Sequence, residues 1–262
     1  MANEKLVSVI MPVYNGERYL AGAIENVLAQ DYRPIEIIVV NDGSTDDTET
    51  VARRCGRDII YYAVQENLGP AAARNRGLRM ASGNIVGFLD VDDLWSENKL
   101  SLQLGRLADD PSVEIVLGLT QLMKLRTCEE GRPRFEKWHD PFCALLVGAA
   151  VFRKSIFENV GFFDETLHHS EDTDWFIRIR EMGIQIILIE EVCLFYRWHE
   201  SNMTLDSAEC NRYLIKALKK SLDRRRRENC GRADSLPRLP SIGEEYARRI
   251  PDFRKVQAKD QR

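Results

Sequence analysis

The chain has 262 residues, of which 44% are hydrophobic and 30% are charged, so its composition is that of a folded domain with a core. The formal net charge is only −4, which argues against a strongly basic nucleic-acid-binding protein, and we expect no nucleic acid as a partner. The charge is unevenly distributed: residues 211–262 hold 16 basic and 7 acidic residues, whereas the first 210 hold 21 and 34.

The first 110 residues alternate between predicted strands and predicted helices. Apolar or β-branched runs predict strands at 6–14, 35–40, 59–64 and 85–89, and helical patterns separate them. This alternation is typical of right-handed βαβ units in a mostly parallel sheet. Ligands of such sheets bind beyond the carboxyl ends of the strands. Polar residues follow three of these strands, at Tyr14-Asn15, Asn41-Asp42 and Asp90 to Asp93.

The second half of the chain has a less regular pattern. Strands are predicted at 113–122, 184–189 and 192–197, helices at 171–182 and 206–227, and a polar loop at 129–140. Beyond Asn229, three prolines and the absence of apolar periodicity predict a loosely attached tail.

The acidic cluster Asp90, Asp92 and Asp93 is the strongest chemical signal. Three carboxylates within four residues repel one another, and a hard divalent cation would offset that repulsion. Such a cation, Mn²⁺ or Mg²⁺, usually completes its coordination with water and substrate phosphates. The alternative is a solvated acidic turn before the helix at Ser96.

Three further features each have a structural and a functional interpretation. Asp42 is either an Asx-turn residue or an acceptor for a base N–H, and Tyr14 either stacks on that base or packs on the sheet. Arg74 is either a surface arginine or a cation reaching toward a phosphate. Glu171 and Asp172 begin a helix, where a carboxylate either complements the helix dipole or serves as a general base.

Together these segments resemble the family 2 glycosyltransferases of the GT-A fold, over roughly residues 5–205. The matching segments occur in family order, as VIMPVYN at 9–15, IVVNDGSTD at 38–46, NLGPAAARN at 67–75, FLDVDD at 88–93, GFFDE at 161–165, ED at 171–172 and YRWH at 196–199. The resemblance implies an α/β fold with a Rossmann-like, mostly parallel sheet flanked by helices and a mixed second half. It also implies a donor-binding half at 1–110, an acceptor-binding half at 111–205 and a basic extension at 206–262.

The resemblance further implies transfer of a sugar from a nucleotide-diphosphate donor, by default a UDP-sugar, to an acceptor hydroxyl with inversion. Asp92 would coordinate Mn²⁺ or Mg²⁺ and His199 would approach the metal or diphosphate, while Asp172, beside Glu171, would be the general base. The residues implied for nucleotide binding are Pro12, Tyr14, Glu17, Asp42, Arg74 and Asp90. The acceptor would be a saccharide, a lipid-linked molecule or another hydroxyl compound of polysaccharide, glycolipid or cell-envelope biosynthesis.

Two other functions fit part of the pattern. A nucleotidyltransferase of similar architecture shares the metal and nucleotide chemistry, and a degenerate nucleotide-sugar binding module shares the fold without activity. A haloacid-dehalogenase-like phosphatase is disfavoured, because its acidic pair follows the first strand.

Localisation is inferred from what the sequence lacks. No leader pattern, no apolar stretch of about 20 residues and no CxxC pair occurs, so we expect a cytoplasmic protein. The run Arg224 to Arg227 is either a solvated helix end or a contact with anionic lipid at the inner face of the membrane.

Overall fold

A computed structural model describes residues 5–56, 59–64, 66–129 and 132–228. The predicted tail beyond Asn229, which forms most of the proposed extension at 206–262, lies outside the described residues. Nine strands are described: β1 Val7–Val13, β2 Ile35–Asp42, β3 Ile59–Val64, β4 Ile85–Phe88, β5 Leu94–Trp95, β6 Ile115–Glu129, β7 Arg132–Lys137, β8 Ala150–Arg153 and β9 Ile186–Trp198. The described α-helices are α1 Leu20–Leu28, α2 Thr48–Arg54, α3 Pro70–Met80, α4 Lys99–Asp109, α5 Ile156–Val160, α6 Glu171–Glu181 and α7 Ser207–Glu228.

The N-terminal half of the sheet is parallel, as predicted. β1 pairs in parallel with β2 and β4, and β2 pairs in parallel with β3. Every residue of β1 is buried, which is typical of a central parallel strand. A Cβ at Gly77 of α3 would come within 2.3 Å of Ile10 on β1, so the glycine lets α3 lie directly on the sheet. This close approach fixes the helix that carries Arg74.

The second half makes the sheet mixed and continuous with the first. The strand order is β3-β2-β1-β4-β8-β6-β9-β5, and β7 pairs with β6 outside this path. β8 is antiparallel to both β4 and β6, whereas β6 and β9 are parallel. The α/β fold class is therefore confirmed, with the mixed pairing confined to the second half as expected.

Two predictions for the second half were wrong. The polar segment 129–140 is not a loop, because Arg132–Lys137 pairs antiparallel with the long end of β6. The two strands predicted at 184–189 and 192–197 are one strand, β9. The register along β6 shifts between Leu117 and Leu119, whose partners are Leu188 and Val192. A bulge therefore places Glu190 and Glu191 in a strand that the sequence pattern divides.

An aromatic core fixes α6, the helix that begins at Glu171. The Trp175 ring stacks on Phe157 at 4.7 Å between centroids and meets Phe152 edge-on at 5.4 Å. Its indole N–H donates to the carbonyl of Gly161 at 2.9 Å. The first turn of α6 is consequently held against the sheet by a fully buried side chain.

Helix α7 covers the outer side of α6, and its bounds lie within one residue of those predicted. Arg224 donates to Glu181 at 2.8 Å and to Asp174 at 3.1 Å, and both carboxylates belong to α6. None of the helices in the described ranges combines the length and the apolar character that a bilayer crossing needs.

Candidate active site

The loops that follow β1 and β2 are tied to each other by reciprocal hydrogen bonds. The backbone N–H of Asn15 donates to the Ser44 hydroxyl at 2.9 Å, and the Asn15 side-chain oxygen accepts from the N–H of Thr45 at 2.8 Å. Asn15 reaches this geometry in the left-handed region, at φ 52°. The carboxylate of Glu17 accepts from the N–H of Asp47 at 2.9 Å. The two loops therefore form one shaped edge at the carboxyl end of the sheet.

Among the nucleotide-binding candidates in this edge, Tyr14 and Glu17 are exposed, and the Glu17 carboxylate is held by Asp47. The Tyr14 side chain is 49% exposed at the end of β1, so its ring is available to a stacking partner. Pro12 is buried within β1, opposite Val40 of β2. Pro12 and Glu17 therefore shape the loops, whereas Tyr14 presents a free surface.

Asp42 lies buried at the end of β2 and holds the turn that starts α3. Its carboxylate oxygens accept from the N–H groups of Leu68 at 2.9 Å and Gly69 at 2.7 Å. Burial raises the pKa of Asp42, and the two N–H donors oppose that shift. Gly69 has φ 91°, and a Cβ there would meet the His168 ring at 2.9 Å. His168 therefore borders the same corner, although the sequence assigned it no role.

Arg74 is almost fully buried and joins two carboxylates that are far apart in the sequence. One terminal nitrogen donates to both oxygens of Asp90, at 2.8 and 3.0 Å. The other terminal nitrogen donates to Glu171. These carboxylates raise the pKa of the guanidinium, so Arg74 is a permanent cation. Its terminal nitrogens are thus occupied by carboxylates, in contrast to the expected reach toward a phosphate.

Glu171 and Asp172 occupy the first turn of α6 with different surroundings. Glu171 is buried in its ion pair with Arg74, whereas Asp172 keeps part of its surface exposed. Burial and the negative charge of Glu171 raise the pKa of Asp172 to about 7, and the Arg74 cation opposes the shift. Ser170, directly before them, has the left-handed φ of 61°. Such strained backbone is typical of functional sites.

Asp92 and His199 meet at the end of the sheet. The Nε2 of His199 lies 3.1 Å from Oδ2 of Asp92, and its Nδ1 lies 2.9 Å from the Ser201 hydroxyl. The Tyr19 ring stacks on the imidazole at 5.0 Å between centroids. The side chain of Asp92 remains 29% exposed, so the carboxylate is accessible to a ligand.

Arg197 holds the backbone of the acidic turn through its side chain. Its guanidinium donates to the carbonyl of Val91 at 3.2 Å and to the carbonyl of Asp92. The guanidinium also lies 5.1 Å from the ring centroid of Tyr19. The backbone N–H of Arg197 donates to the buried carboxylate of Asp93 at 2.9 Å. Arg197 was missed as a functional residue, although it belongs to the YRWH segment.

Asp93 differs from its neighbours in being buried. Burial and the charges of Asp92 and Asp90 raise its pKa well above the ordinary value. Its contact with the end of β9 identifies it as a support for the turn rather than a group open to ligands.

The side chains at the end of the sheet include two possible ligands for the expected divalent cation. In the part of the chain that the structure describes, no three or more His, Cys, Asp or Glu side chains converge to hold a metal. Asp92 and His199 supply an oxygen and a nitrogen side by side. Mn²⁺ and Mg²⁺ commonly take one or two protein ligands and complete their shell with water and phosphate oxygens. The chemistry of this pair fits such a cation.

Comparison with known families then identifies the class of the chain. Residues 8–161 match the family described as Glycosyl transferase family 2. Because the match covers more than half of the sequence, the chain belongs to this family. The resemblance based on the seven segments is thereby confirmed.

Curated relatives agree with this assignment. An uncharacterised glycosyltransferase of Rickettsia prowazekii is 36% identical over 217 residues, which are 76% of this chain and 66% of the relative. Glycosyltransferase GlyA of Streptococcus pneumoniae is 33% identical over 179 residues, 68% of this chain and 24% of the relative. The chain thus spans less than two thirds of the length of these relatives.

Solved structures identify the fold as the GT-A fold. A mannosyltransferase of Pyrobaculum calidifontis, in complex with GDP-Man and Mn²⁺, has a TM-score of 0.65 at 22% identity, over 85% of this chain and 65% of that one. Residues 1–349 of S. aureus TarS, in complex with UDP-GlcNAc, give 0.63 at 21% identity, over 82% and 66%.

Proposed function

We propose that this chain is an inverting glycosyltransferase that moves a sugar from a nucleoside-diphosphate donor to an acceptor hydroxyl by direct displacement. The observation that carries the proposal is the pair of acidic centres, Asp92 with His199 and Glu171 with Asp172, connected through Asp90 and Arg74. Donor activation and proton removal need separate groups in such a reaction, and these two centres supply them.

The donor half, residues 1–110, binds the nucleotide in this proposal, and a UDP-sugar is the donor we favour. Tyr14 stacks on the base and Asp42 accepts from it, while Pro12 and Glu17 shape the surrounding loops. Support comes from the open ring of Tyr14 and from the nucleotide sugars bound by proteins of the same fold. Arg74 acts by holding Asp90 toward the ribose, since its terminal nitrogens already bind carboxylates.

Asp92 and His199 are the residues that would hold Mn²⁺ or Mg²⁺. The cation, when bound, stabilises the negative charge that develops on the leaving nucleoside diphosphate. Asn202 contributes to the arrangement because its amide lies 3.4 Å from Oδ2 of Asp92. Ser201 and Tyr19 fix the imidazole ring, one by hydrogen bonding and one by stacking.

Asp172 takes the proton from the acceptor hydroxyl. A base is most effective when its pKa lies near the working pH, and the pKa of Asp172 is about 7. Glu171 is committed to Arg74, which leaves Asp172 as the available carboxylate. The acceptor binds in the half formed by residues 111–205, on the face of the sugar opposite the diphosphate. It is a hydroxyl of a saccharide or of a lipid-linked molecule of envelope or glycoconjugate biosynthesis.

The test is the substitution Asp172→Asn, with Glu158→Gln on the exposed side of α5 as the matched carboxylate control. We expect Asp172→Asn to lower sugar transfer by about 10²-fold or more, because general base catalysis supplies roughly that factor. Affinity for the nucleotide, measured calorimetrically with Mn²⁺ present, stays unchanged. Retained transfer, or loss of nucleotide binding in a folded variant, would contradict the assignment of the base.

A further inference from the structure

The inner face of helix α7 packs against the rest of the protein and is hydrogen-bonded to it. Ala217 and Ser221 are buried against α6, and the Ser221 hydroxyl donates to Glu181. Lys220 donates to the carboxylate of Asp164 and, at 2.8 Å, to the hydroxyl of Thr166. The inner face therefore anchors α7 to α6, which carries the proposed base, and to the loop that precedes α6.

The outer face of α7 carries an apolar stripe that nothing in the described residues covers. Leu214, Ile215, Leu218 and Leu222 are 37%, 66%, 47% and 47% exposed. At 3.6 residues per turn, these four side chains fall within about 100° of the helix circumference. A continuous stripe of this kind is unusual on a soluble surface and indicates an interaction site.

Basic side chains border the stripe. Lys219 and Arg226 are exposed along one edge, and Arg225 follows Leu222 on the same side of the helix. Arg224 does not contribute, because its guanidinium pairs with Asp174 and Glu181. In the run Arg224 to Arg227, predicted as either a solvated helix end or a contact with anionic lipid, the first member is thus held in ion pairs. The segment from residue 211 onward holds 16 basic against 7 acidic residues.

We propose that the outer face of α7 docks on an anionic lipid bilayer. Apolar side chains flanked by Lys and Arg are the pattern with which a helix lies in a membrane interface, its apolar face among the acyl chains and its cations at the headgroups. The basic border would not attract a neutral partner. A second copy of the chain would place two basic borders against each other, and these would repel.

The helix that docks in this proposal also contacts the segment before the proposed base. Tyr213 of α7 contacts both His168 and His169, with centroids 5.9 and 5.5 Å apart, and Ser170 separates these histidines from Glu171. The docking itself is independent of glycosyl transfer.

Sedimentation of the full chain with vesicles tests the proposal without any turnover. We expect binding to vesicles of equal parts phosphatidylglycerol and phosphatidylcholine, decreasing with salt, and little binding to phosphatidylcholine alone. The double substitution Lys219→Gln with Arg226→Gln lowers the partition coefficient about 25-fold. Ile215→Gln with Leu218→Gln lowers it about tenfold or more. Leu28→Gln, an exposed leucine of α1, leaves it unchanged.

Three results would overturn the proposal. One is undiminished binding of the stripe variant, and another is equal binding to neutral and anionic vesicles. The third is the absence of vesicle binding together with a concentration-dependent dimer, measured by light scattering, that the stripe variant does not form. In that case a second copy of the chain occupies the stripe. All substituted positions are exposed, and thermal unfolding of each variant verifies that it is folded.

Discussion

At the scale of single residues, a buried arginine organises the carboxylates of the candidate site. Arg74 separates the charge of Asp90 from that of Glu171 and lies close enough to Asp172 to oppose the rise in its pKa. The sequence located Arg74 within its motif but not its partners, because Glu171 is 97 residues away along the chain. His168, Tyr19 and Asn202 were missed for the same reason, since each acts through contacts that only the folded chain creates.

The balance of charges around Asp172 predicts the pH profile of the enzyme. As the proposed base, Asp172 must be ionised to accept a proton, and its pKa is about 7, so we expect kcat/KM to rise as the pH increases through about 7. Glu171→Gln removes a negative charge that raises this pKa, so the midpoint shifts to lower pH. Profiles of both proteins between pH 5.5 and 9 measure the shift. A midpoint that moves upward, or does not move, would show that Glu171 does not act on the base electrostatically.

At the scale of elements, the sequence predicts a strand or helix when the pattern within that segment is sufficient to indicate it. Apolar runs and helical spacing indicate the βαβ alternation of the first half locally. The bounds of its strands and helices were therefore predicted within a few residues. β7 was missed because it is polar and, among the strands in the described ranges, pairs only with β6. β9 was divided because a bulge puts two glutamates inside a strand, and a period-2 pattern does not survive a bulge.

The end of β9 and the residues that follow it bring Arg197, His199 and Asn202 to one acidic turn. Arg197→Gln removes the cation that holds two carbonyls of this turn while leaving the proposed ligands in place. We therefore expect the affinity for UDP in the presence of Mn²⁺ to fall about tenfold, a typical loss when a supporting residue is removed. Affinity without Mn²⁺ should change little.

Calorimetry with and without Mn²⁺ separates these two effects, and Arg106→Gln on the exposed side of α4 is the control. An equal loss under both conditions would assign Arg197 to general folding of the edge rather than to the orientation of the proposed metal ligands.

At the scale of the whole molecule, acidic residues predominate in the first 210 residues and basic residues in the C-terminal segment. The acidic excess of the first 210 residues includes the carboxylates of the candidate site, which are gathered at strand and helix ends. The basic excess begins on α7, which lies outside the sheet and is bound to α6 by ion pairs. A net charge of −4 therefore averages two surfaces that meet different ligands in our proposals.

A buried lysine, Lys99, lies apart from both the candidate site and the basic helix. Its ionisation makes the free energy of unfolding depend on pH. Lys99 is fully buried, donates to Gln103 and to the carbonyl of Ala150 at 3.0 Å, and lies over the Trp95 ring. Desolvation lowers its pKa to about 7 from the ordinary value of 10.5. Between these two values the unfolded chain binds a proton that the folded chain does not. This group therefore makes the free energy of unfolding rise with pH, by up to about 1.4 kcal/mol per unit.

Lys99→Met should remove this dependence. Below about pH 7 the lysine is charged in both the folded and the unfolded chain, so the wild type bears the full cost of burying the cation and the variant does not. The free energy of unfolding of the variant therefore exceeds that of the wild type most at low pH, and this difference declines as the pH rises toward 10.5. The hydrogen bonds lost to Gln103 and Ala150 add an offset that does not change with pH. Urea unfolding at pH 7, 8 and 9 measures the difference between the variant and the wild type, with Lys137→Met at an exposed strand end as the control. A difference that stays constant across this range would mean that Lys99 remains charged in the folded protein.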